Sequence, residues 1–585
     1  MLGPPLLLLC CIASWLAITG ASARSHLTAA REGVSALRAA VLAGDQPAAN
    51  RLLADVQTDA SIAHRRTSGP LWRAVSHVPL VGPAVTSARG VAAVVDDLAR
   101  GPLQAVIDRG SSLSPATLHP AGGHVDLAAL VAAQAPLASA LSRVQDSSRQ
   151  LDALPHTTRV GSIDSARTAL ARQVAALTST LRTADRAGRL LPPMLGADGP
   201  RNYFLAFQTN AEARGTGGLV GGYAILRADH GALRLISMGD NTQLGDRTTP
   251  AIDLGPEFTD RYAQYGSTTH WNNSNMSPHF PSVAAIWLAM WQRRTGQRLD
   301  GAMATDPVAL SHLLAATGPA RLPSGEGITA GNVVRLTEST SYSRFANDNN
   351  ARKAYLQAVA KASLARVLSA PASRSLLGAL MKSAGEGRLL MFSAHPAEQA
   401  LLAGTSLVGV LPITPRPFAE VVVNNAGGNK LDYYLGRDVT YTLGTCRSGR
   451  RASSVVVRLT NNAPTSGLTA YAGGRLDGTS GQAPGSQRLL ISLYATHGAE
   501  LTSVAVDRRK AGAAVEAERG HPVFTVVDDI AAGSTGTVRF RLDEPIVAGS
   551  AVLRDQPLVR PTTLTSTGAA CGMAFRPKSP SVPKP

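Results

Sequence analysis

The chain opens on an uncharged run, residues 4–23, and its first charged side chain is Arg24. About 20 apolar residues are enough to span a bilayer. Ala21-Ser22-Ala23 also has the small-residue character of a signal-peptide cleavage site. Residues 1–23 are therefore expected to be a transmembrane anchor or a cleaved signal peptide, and either reading exports the rest. From residue 24 to 195 the apolar positions, among them Leu37, Val41, Leu52, Leu53 and Val56, recur near helical spacing. Asp45-Gln46-Pro47 restarts a helix, with Asp45 as its cap. The Val78-Pro79-Leu80-Val81-Gly82-Pro83 stretch breaks the pattern, and 110–123 reads as a loop. Helices resume over 126–154 and 162–191, and Leu191-Pro192-Pro193 ends them. The spacing predicts a helical bundle or stalk over 24–195.

The period then shortens. Residues 203–208, 220–228 and 233–238 read as strands, the last two joined by a tight turn at Asp229-His230-Gly231. A polar, glycine-dense loop is expected between the first two. A long irregular stretch, 239–281, precedes an amphipathic helix at 282–294. A strand at 300–305 leads into a helix over 308–316 capped by Asp306. Further helices are expected at 329–339, 346–368, 374–382 and 396–403, with a strand at 389–393. Together these predict a central α/β domain with a mixed sheet, 196–418. From Glu420 onward, eight short alternating runs separated by Gly, Pro and Asn predict a β-sandwich over 419–560. Two of those runs are placed at 431–435 and 438–443. Residues 561–585 are expected to be a disordered, basic, proline-rich tail. The fold class is multidomain α+β.

Composition adds location and excludes one function class. At 585 residues the chain is too long for a single core. Its net charge is +17, spread thinly; residues 201–310 hold nine basic and nine acidic side chains. Nucleic-acid binding needs a concentrated basic stripe with interleaved aromatics, and no such stripe is present. Diffuse positive charge suits contact with lipid head groups or anionic glycopolymers, or serves solubility alone. Cys446 and Cys571, the cysteines outside the leading segment, are placed for one disulfide or remain two buried thiols. No H-E-x-x-H, G-x-S-x-G or C-x-x-C pattern occurs.

The candidate chemistry gathers in two places. Asn210, Glu212 and Arg214 alternate after the first strand, so a continued strand would turn all three to one face. Arg214 could then bind a phosphate while Glu212 serves as metal ligand or base; equally, the two could pair with each other at a sheet edge. Gly217 and Gly218 would let the backbone approach a ligand closely. They match neither a dinucleotide fingerprint nor a P-loop. The second place is the loop around Asn272, Asn273 and Asn275, whose amides suit sugar or phosphate oxygens or simply close turns. His270 and His279 flank it as candidates for metal binding or proton transfer. Asp306 is a helix cap or a metal ligand.

The runs NAEARGTGGLVGGYAILRADHGAL, WNNSNMSPHFPSVAAIW, LDGAMATDPVALSHLLAATGP and VVVNNAGGNKLDYYLGRDVTY resemble a domain-of-unknown-function family of exported, membrane-anchored envelope proteins. That family is common in actinobacteria, and the Ala-, Gly- and Arg-rich composition fits such a genome. The likeness runs from about residue 25 to about 545. The central domain also distantly resembles the LytR-CpsA-Psr family, which transfers cell-wall glycopolymers from polyprenyl pyrophosphate carriers with a magnesium ion. By that resemblance Arg214 would bind phosphate and Glu212 or Asp306 would hold Mg2+, which makes Arg214 and Glu212 the expected catalytic pair; Asn210, Gly217, Gly218, Asn272, Asn273 and Asn275 are the expected ligand-binding residues. The Pro-Arg-Asp motif of that family is missing, and His279 stands before Phe-Pro where an acid is expected. Two functions follow as expectations: a membrane-anchored protein that binds a glycopolymer or a lipid-linked sugar, or a glycopolymer phosphotransferase.

Overall fold

The computed structural model describes residues 3–43, 45–110, 124–371, 373–478, 483–568 and 571. They form an α+β chain of two compact units, one of residues 1–199 with 229–232 and one of 200–228 with 233–585.

The first unit is helical. Helix α1 (Gly3–Ala43) runs without a break through the expected boundary at residue 23, because nothing between Gly20 and Ala43 is a strong helix breaker. Helix α2 (Gln46–Thr67) begins where Asp45 accepts a hydrogen bond from the Ala48 amide at 3.0 Å. Helices α3 (Pro70–Val75), α4 (Gly82–Arg100) and α5 (Pro102–Gly110) follow. The loop expected at 110–123 lies outside the described residues, apart from Gly110, which ends α5. Helices α6 (Leu127–Asp152) and α7 (Gly161–Met194) complete the unit, and α7 carries Pro192 and Pro193 inside its last turn. Val91, Val94 and Leu98 of α4, Ala140, Val144 and Leu151 of α6, and Val174 and Leu181 of α7 form one buried cluster. Among the described residues α6 is the helix long and apolar enough, by length and composition, to cross a membrane.

The second unit begins with a five-stranded mixed sheet in the order β3-β2-β1-β4-β7. Its members are β1 (Arg201–Arg214), β2 (Gly217–Asp229), β3 (Ala232–Asp240), β4 (Gly301–Thr305) and β7 (Leu389–Ser393); a small ladder, β5 (Ala320–Arg321) with β6 (Gly327–Ile328), lies apart. β1 pairs antiparallel with β2 and parallel with β4. The loop expected between the first two strands shrinks to Gly215-Thr216, because both strands extend into the polar segment. The turn at 229–231 forms as expected, with His230 at φ +48° and Gly231 at φ +86°, the left-handed pair a tight hairpin requires.

The core behind this sheet is aromatic. Phe204 on β1 lies 5.5–5.9 Å, centroid to centroid, from Tyr223, Trp271, Trp287 and Trp291. The helix carrying Trp287 and Trp291, α9 (Phe280–Thr295), follows a shorter one, α8 (Pro256–Tyr262). Trp287 donates its Nε1–H to Ser274 Oγ at 2.8 Å, so the core also anchors the asparagine loop. Asp306 caps α10 (Pro307–Thr317), accepting from the Ala309 amide at 2.7 Å. The helix expected at 329–339 begins at Val333 and runs through a π-helical turn, Leu336–Thr340, to Arg344. Helices α11 (Asn349–Ser369), α12 (Arg374–Gly385) and α13 (Pro396–Leu402) follow.

Beyond Pro417 the chain builds two more sheets. One is six-stranded, β13-β12-β16-β10-β9-β18, and one five-stranded, β14-β15-β11-β8-β17. The strands are β8 (Phe418–Asn425), β9 (Leu435–Arg447), β10 (Arg450–Asn461), β11 (Gln487–Ala495), β12 (Glu500–Val506), β13 (Arg509–Ala511), β14 (Ala514–Glu518), β15 (His521–Ile530), β16 (Thr535–Pro545), β17 (Val552–Arg554) and β18 (Thr562–Thr567). Inward residues of both sheets join one buried cluster, including Val421, Val423, Val455, Val457, Ile491, Phe524 and Phe540. The strand expected at 431–435 is instead a turn, Asp432–Tyr434, and the run at 438–443 belongs to the longer β9. The tail expected from residue 561 begins with β18, which pairs parallel with β9. Its alternating threonines favour a pleated surface. Of the rest of that segment, 569–570 and 572–585 lie outside the described residues. Cys446 and Cys571 are joined in a disulfide with Cα atoms 6.2 Å apart.

Trp287 is fully buried and supports both the sheet core and Ser274. Its replacement by Ala should cost about 3–5 kcal/mol, measured as a shift of the urea midpoint at unchanged m-value.

Candidate functional site

The residues singled out at the end of β1 sit in a bulge. Thr209 opposes Leu219, yet Ala213 opposes the very next residue, Gly218. Asn210, Ala211 and Glu212 are therefore looped out of the ladder, and such bulges re-aim side chains. Asn210 donates to the Pro557 carbonyl at 3.1 Å. The Ala211 amide donates to Glu338 Oε2 at 2.5 Å and the Ala213 amide to Asp432 Oδ2 at 2.7 Å. The bulge thus exchanges ladder partners for buried carboxyl oxygens.

Glu212 and Arg214 do pair, with Arg214 Nη2 donating to Glu212 Oε1 at 3.0 Å. Both are buried. Lys430 donates to the other carboxylate oxygen, Oε2, at 2.5 Å. Arg214 further donates to the carbonyls of Asn272 (2.9 Å), Ala213 (2.8 Å) and Asn425 (3.2 Å) and to Asn273 Oδ1 (3.2 Å). A guanidinium has five N–H donors, and these five bonds use all of them. None remains for a ligand phosphate. Arg214 and the asparagine loop do come together, but as a clasp inside the protein.

The glycines serve the same packing. A side chain on Gly218 would meet the Thr209 carbonyl at 2.2 Å, and one on Gly215 the Met276 carbonyl at 2.2 Å. Gly217 holds φ +128° with the Pro557 carbonyl close by. The close approaches are to the protein's own backbone. Asn275 is fully buried and donates to Thr216 Oγ1 (2.8 Å) and the Gly218 carbonyl (2.7 Å), fixing the hairpin. Asn273 donates to the Tyr265 carbonyl at 2.8 Å. His279 accepts from the Leu411 amide through Nδ1 at 3.2 Å. Burial, with Arg519 and Arg554 nearby, lowers its pKa to about 3, so it is neutral. His270 lies exposed beside Thr269.

Next to this clasp lies a cavity of about 310 Å³. Its apolar wall includes Phe207, Leu219, Met238, Leu310, Leu356 and Val359. Of the predicted residues, Asn272 and Asp306 line it, while Asn210, Glu212, Arg214, Gly217, Gly218, Asn273 and Asn275 do not. Asp306 and Glu212 lie in separate ion pairs: Arg388 Nη1 donates to Asp306 Oδ2 at 2.7 Å, and Glu212 has Arg214 and Lys430. Burial nevertheless raises the Asp306 pKa, with Arg388 opposing it. Among the described residues no group of three or more His, Cys, Asp or Glu is arranged to hold a metal ion.

The cavity's polar groups come mostly from residues that motif reasoning passed over. Arg352, 6% exposed, lies against the rings of Tyr342 and Tyr471, which stack on each other at 6.1 Å, its Cζ 4.9 and 4.7 Å from their centroids. It donates to the Tyr471 hydroxyl at 3.0 Å and to Asn349 Oδ1, and among the described residues no carboxylate pairs with it. Lys430 stands 5.3 Å from the Tyr471 centroid. Lys353 is paired with Asp240 at 3.1 Å. Glu338, in the π-helical turn, accepts from Thr209 Oγ1 at 3.0 Å as well as from Ala211. Burial, reinforced by the charge of Asp306, pushes its pKa up to about 8. A neutral Glu338 leaves Arg352 as an uncompensated buried cation facing the space. The sequence carried no short-range signal for this set, since Tyr471 follows Arg352 by 119 residues.

Two outcomes follow. Arg214→Ala strands the buried Glu212 carboxylate on Lys430 alone and should destabilise the protein by about 3–5 kcal/mol in denaturant titration. Glu338 holds its proton to a higher pH folded than unfolded, so its contribution to stability is full below about 4.5 and is lost as pH rises toward 8. Stability measured between pH 5 and 8 should therefore fall less steeply in Glu338→Gln than in the wild type.

A family model described as "Protein of unknown function (DUF4012)" matches residues 198–342. The match takes in β1 with its bulge, the asparagine loop, Asp306, Glu338 and Tyr342, and stops short of Arg352, Lys430 and Tyr471. No curated protein and no solved structure matches the chain. The segment from 198 to 342 is similar to a domain family of unknown function.

Proposed function

We propose that this protein is an exported, membrane-anchored component of the cell envelope whose cavity binds a lipid-linked sugar through its anionic head. In this reading residues 1–23 are the membrane segment, 24–195 a helical stalk, 196–418 the ligand-binding domain and 419–560 a β-sandwich. One observation carries the ligand class. Arg352 is desolvated, held against two tyrosine rings, without a carboxylate partner among the described residues, and lines a cavity whose wall is largely apolar. A buried cation without an anion is costly, and a bound phosphate would supply the missing charge with bidentate geometry. The apolar wall suits the start of an isoprenoid tail. Gln208, Asn241, Asn272 and Gln357, which also line the cavity, suit sugar hydroxyls.

The test is calorimetric titration of the full chain in detergent with a short-chain polyprenyl-phosphate sugar. Wild type should bind, and Arg352→Met should weaken binding about 10- to 100-fold, the loss of a charge-assisted bond. Absence of binding by wild type, or equal affinity in the variant, overturns the reading.

A further inference from the structure

We infer that the helical unit carries a second bilayer contact, separate from α1: the rigid apolar loop 77–81, seated on an anionic phospholipid surface beneath a collar of arginines.

The helices fix its level. Ala23 of α1 packs with Ala63 of α2 and Ala92 of α4. Ala30 packs with Ala60 and Ala99, and Leu37 with Leu53 and Ile107. α2 therefore runs antiparallel to α1, and α4 with α5 runs parallel to it. Carried back along both helices at this register, the start of α4 at Gly82 reaches the level of Ala13. The preceding loop thus stands beside the uncharged first half of α1. Two contacts support this: Trp72 donates its Nε1–H to Thr19 Oγ1 at 3.1 Å, and Gly69 faces the Trp15 ring.

The loop presents apolar side chains to the outside. Leu80 is 69% exposed and Val81 and Val78 are also exposed, as are Ile18 and Trp15 on α1. Its backbone is locked: the Gly82 amide donates to the Val78 carbonyl at 2.8 Å, and the Val81 amide to Pro79. Leu80 is held at φ +73°, a conformation that a leucine rarely adopts. A rigid, strained loop that pushes leucine and valine outward makes a poor free surface and a good wedge among acyl chains.

Charge selects the partner. Arg24, Arg65, Arg66 and Arg89 all fall within one helical turn of the Ala23–Ala63–Ala92 layer, and Arg73 follows Trp72. Arg24, Arg65, Arg66 and Arg73 are exposed, and none of the five has a carboxylate partner among the described residues. The sequence holds no Asp or Glu between Asp59 and Asp96, nor before Glu32. Apolar groups at the tip with uncompensated arginines about 15 Å further along the helix axis match the acyl and phosphate layers of an anionic leaflet.

This surface rests on the membrane-anchored part of the proposed function and is independent of the ligand cavity. The test uses the full chain with Cys10→Ser and Cys11→Ser, carrying an environment-sensitive fluorophore on Leu80→Cys or, in parallel, on Ile18→Cys. Both are placed in vesicles of phosphatidylcholine with phosphatidylglycerol, and in phosphatidylcholine alone. The expected result is blue-shifted emission from position 80, quenched by lipids spin-labelled deep on the acyl chain, in the anionic vesicles. Arg65→Glu, Arg66→Glu and Arg73→Glu together should reverse it, at about fivefold in partition per arginine, with unchanged circular dichroism. A water-like probe at 80 beside a lipid-like probe at 18 overturns the loop contact while anchoring stands. Water-like probes at both positions overturn anchoring as well. Emission at 80 that is equal on neutral vesicles, or that arises in detergent from a dimer of the chain, overturns the choice of partner.

Discussion

A buried ion cluster ties β1, the asparagine loop, β8 and the turn after it to one another. Glu212 lies between the Arg214 guanidinium and the Lys430 ammonium, and Arg214 spends its remaining donors on the carbonyls of β1, the asparagine loop and β8. Charges this deep are costly unless their donors and acceptors are met. That demand shapes the chain around them. β1 must bulge to bring Glu212 inward, the asparagine loop must lie flat across the sheet end, and the turn after β8 must carry a lysine. The cavity next door exists because the bulge ends regular pairing at Thr209 and leaves space between the sheet and α11.

Two electrostatic regimes thus stand side by side. In the clasp, opposite charges compensate one another and the geometry is closed. In the cavity, the carboxyl of Glu338 is relieved of its charge by burial, and Arg352 is compensated only by the faces of two tyrosines and neutral acceptors. Cation–π contact offsets part of the desolvation of a guanidinium but supplies no counter-charge. The first regime is structural; the second has an open valence.

Local patterns made much of this legible. The alternation of β1 and β2, the Asp-His-Gly turn, the Asp45 and Asp306 caps and the periodicity of the helices are short-range effects, and each shows in the sequence within a few residues of where it acts. Glu212 and Arg214 drew attention for a sound reason, since a carboxylate and a guanidinium two apart on a strand share a face. Whether that face meets a ligand or Lys430, over two hundred residues on, is a matter of tertiary packing that no local pattern carries. Arg352 had the opposite difficulty. It sits in an ordinary helical stretch, and only the return of Tyr471 on a distant short helix, Ala470–Gly473, turns it into a site. The threonines of β18 were masked by the proline-rich sequence beyond them.

The pairing of β18 with β9 has a mechanical consequence. The two strands run parallel, and the disulfide ties Cys571, just past the end of β18, to Cys446 near the end of β9. Tension arriving from the chain beyond residue 571 would therefore enter β9 through a covalent bond, bypassing the hydrogen bonds of β18. From there it spreads into the interior of the six-stranded sheet. An outer strand that would otherwise unzip under load is thereby taken out of the force path.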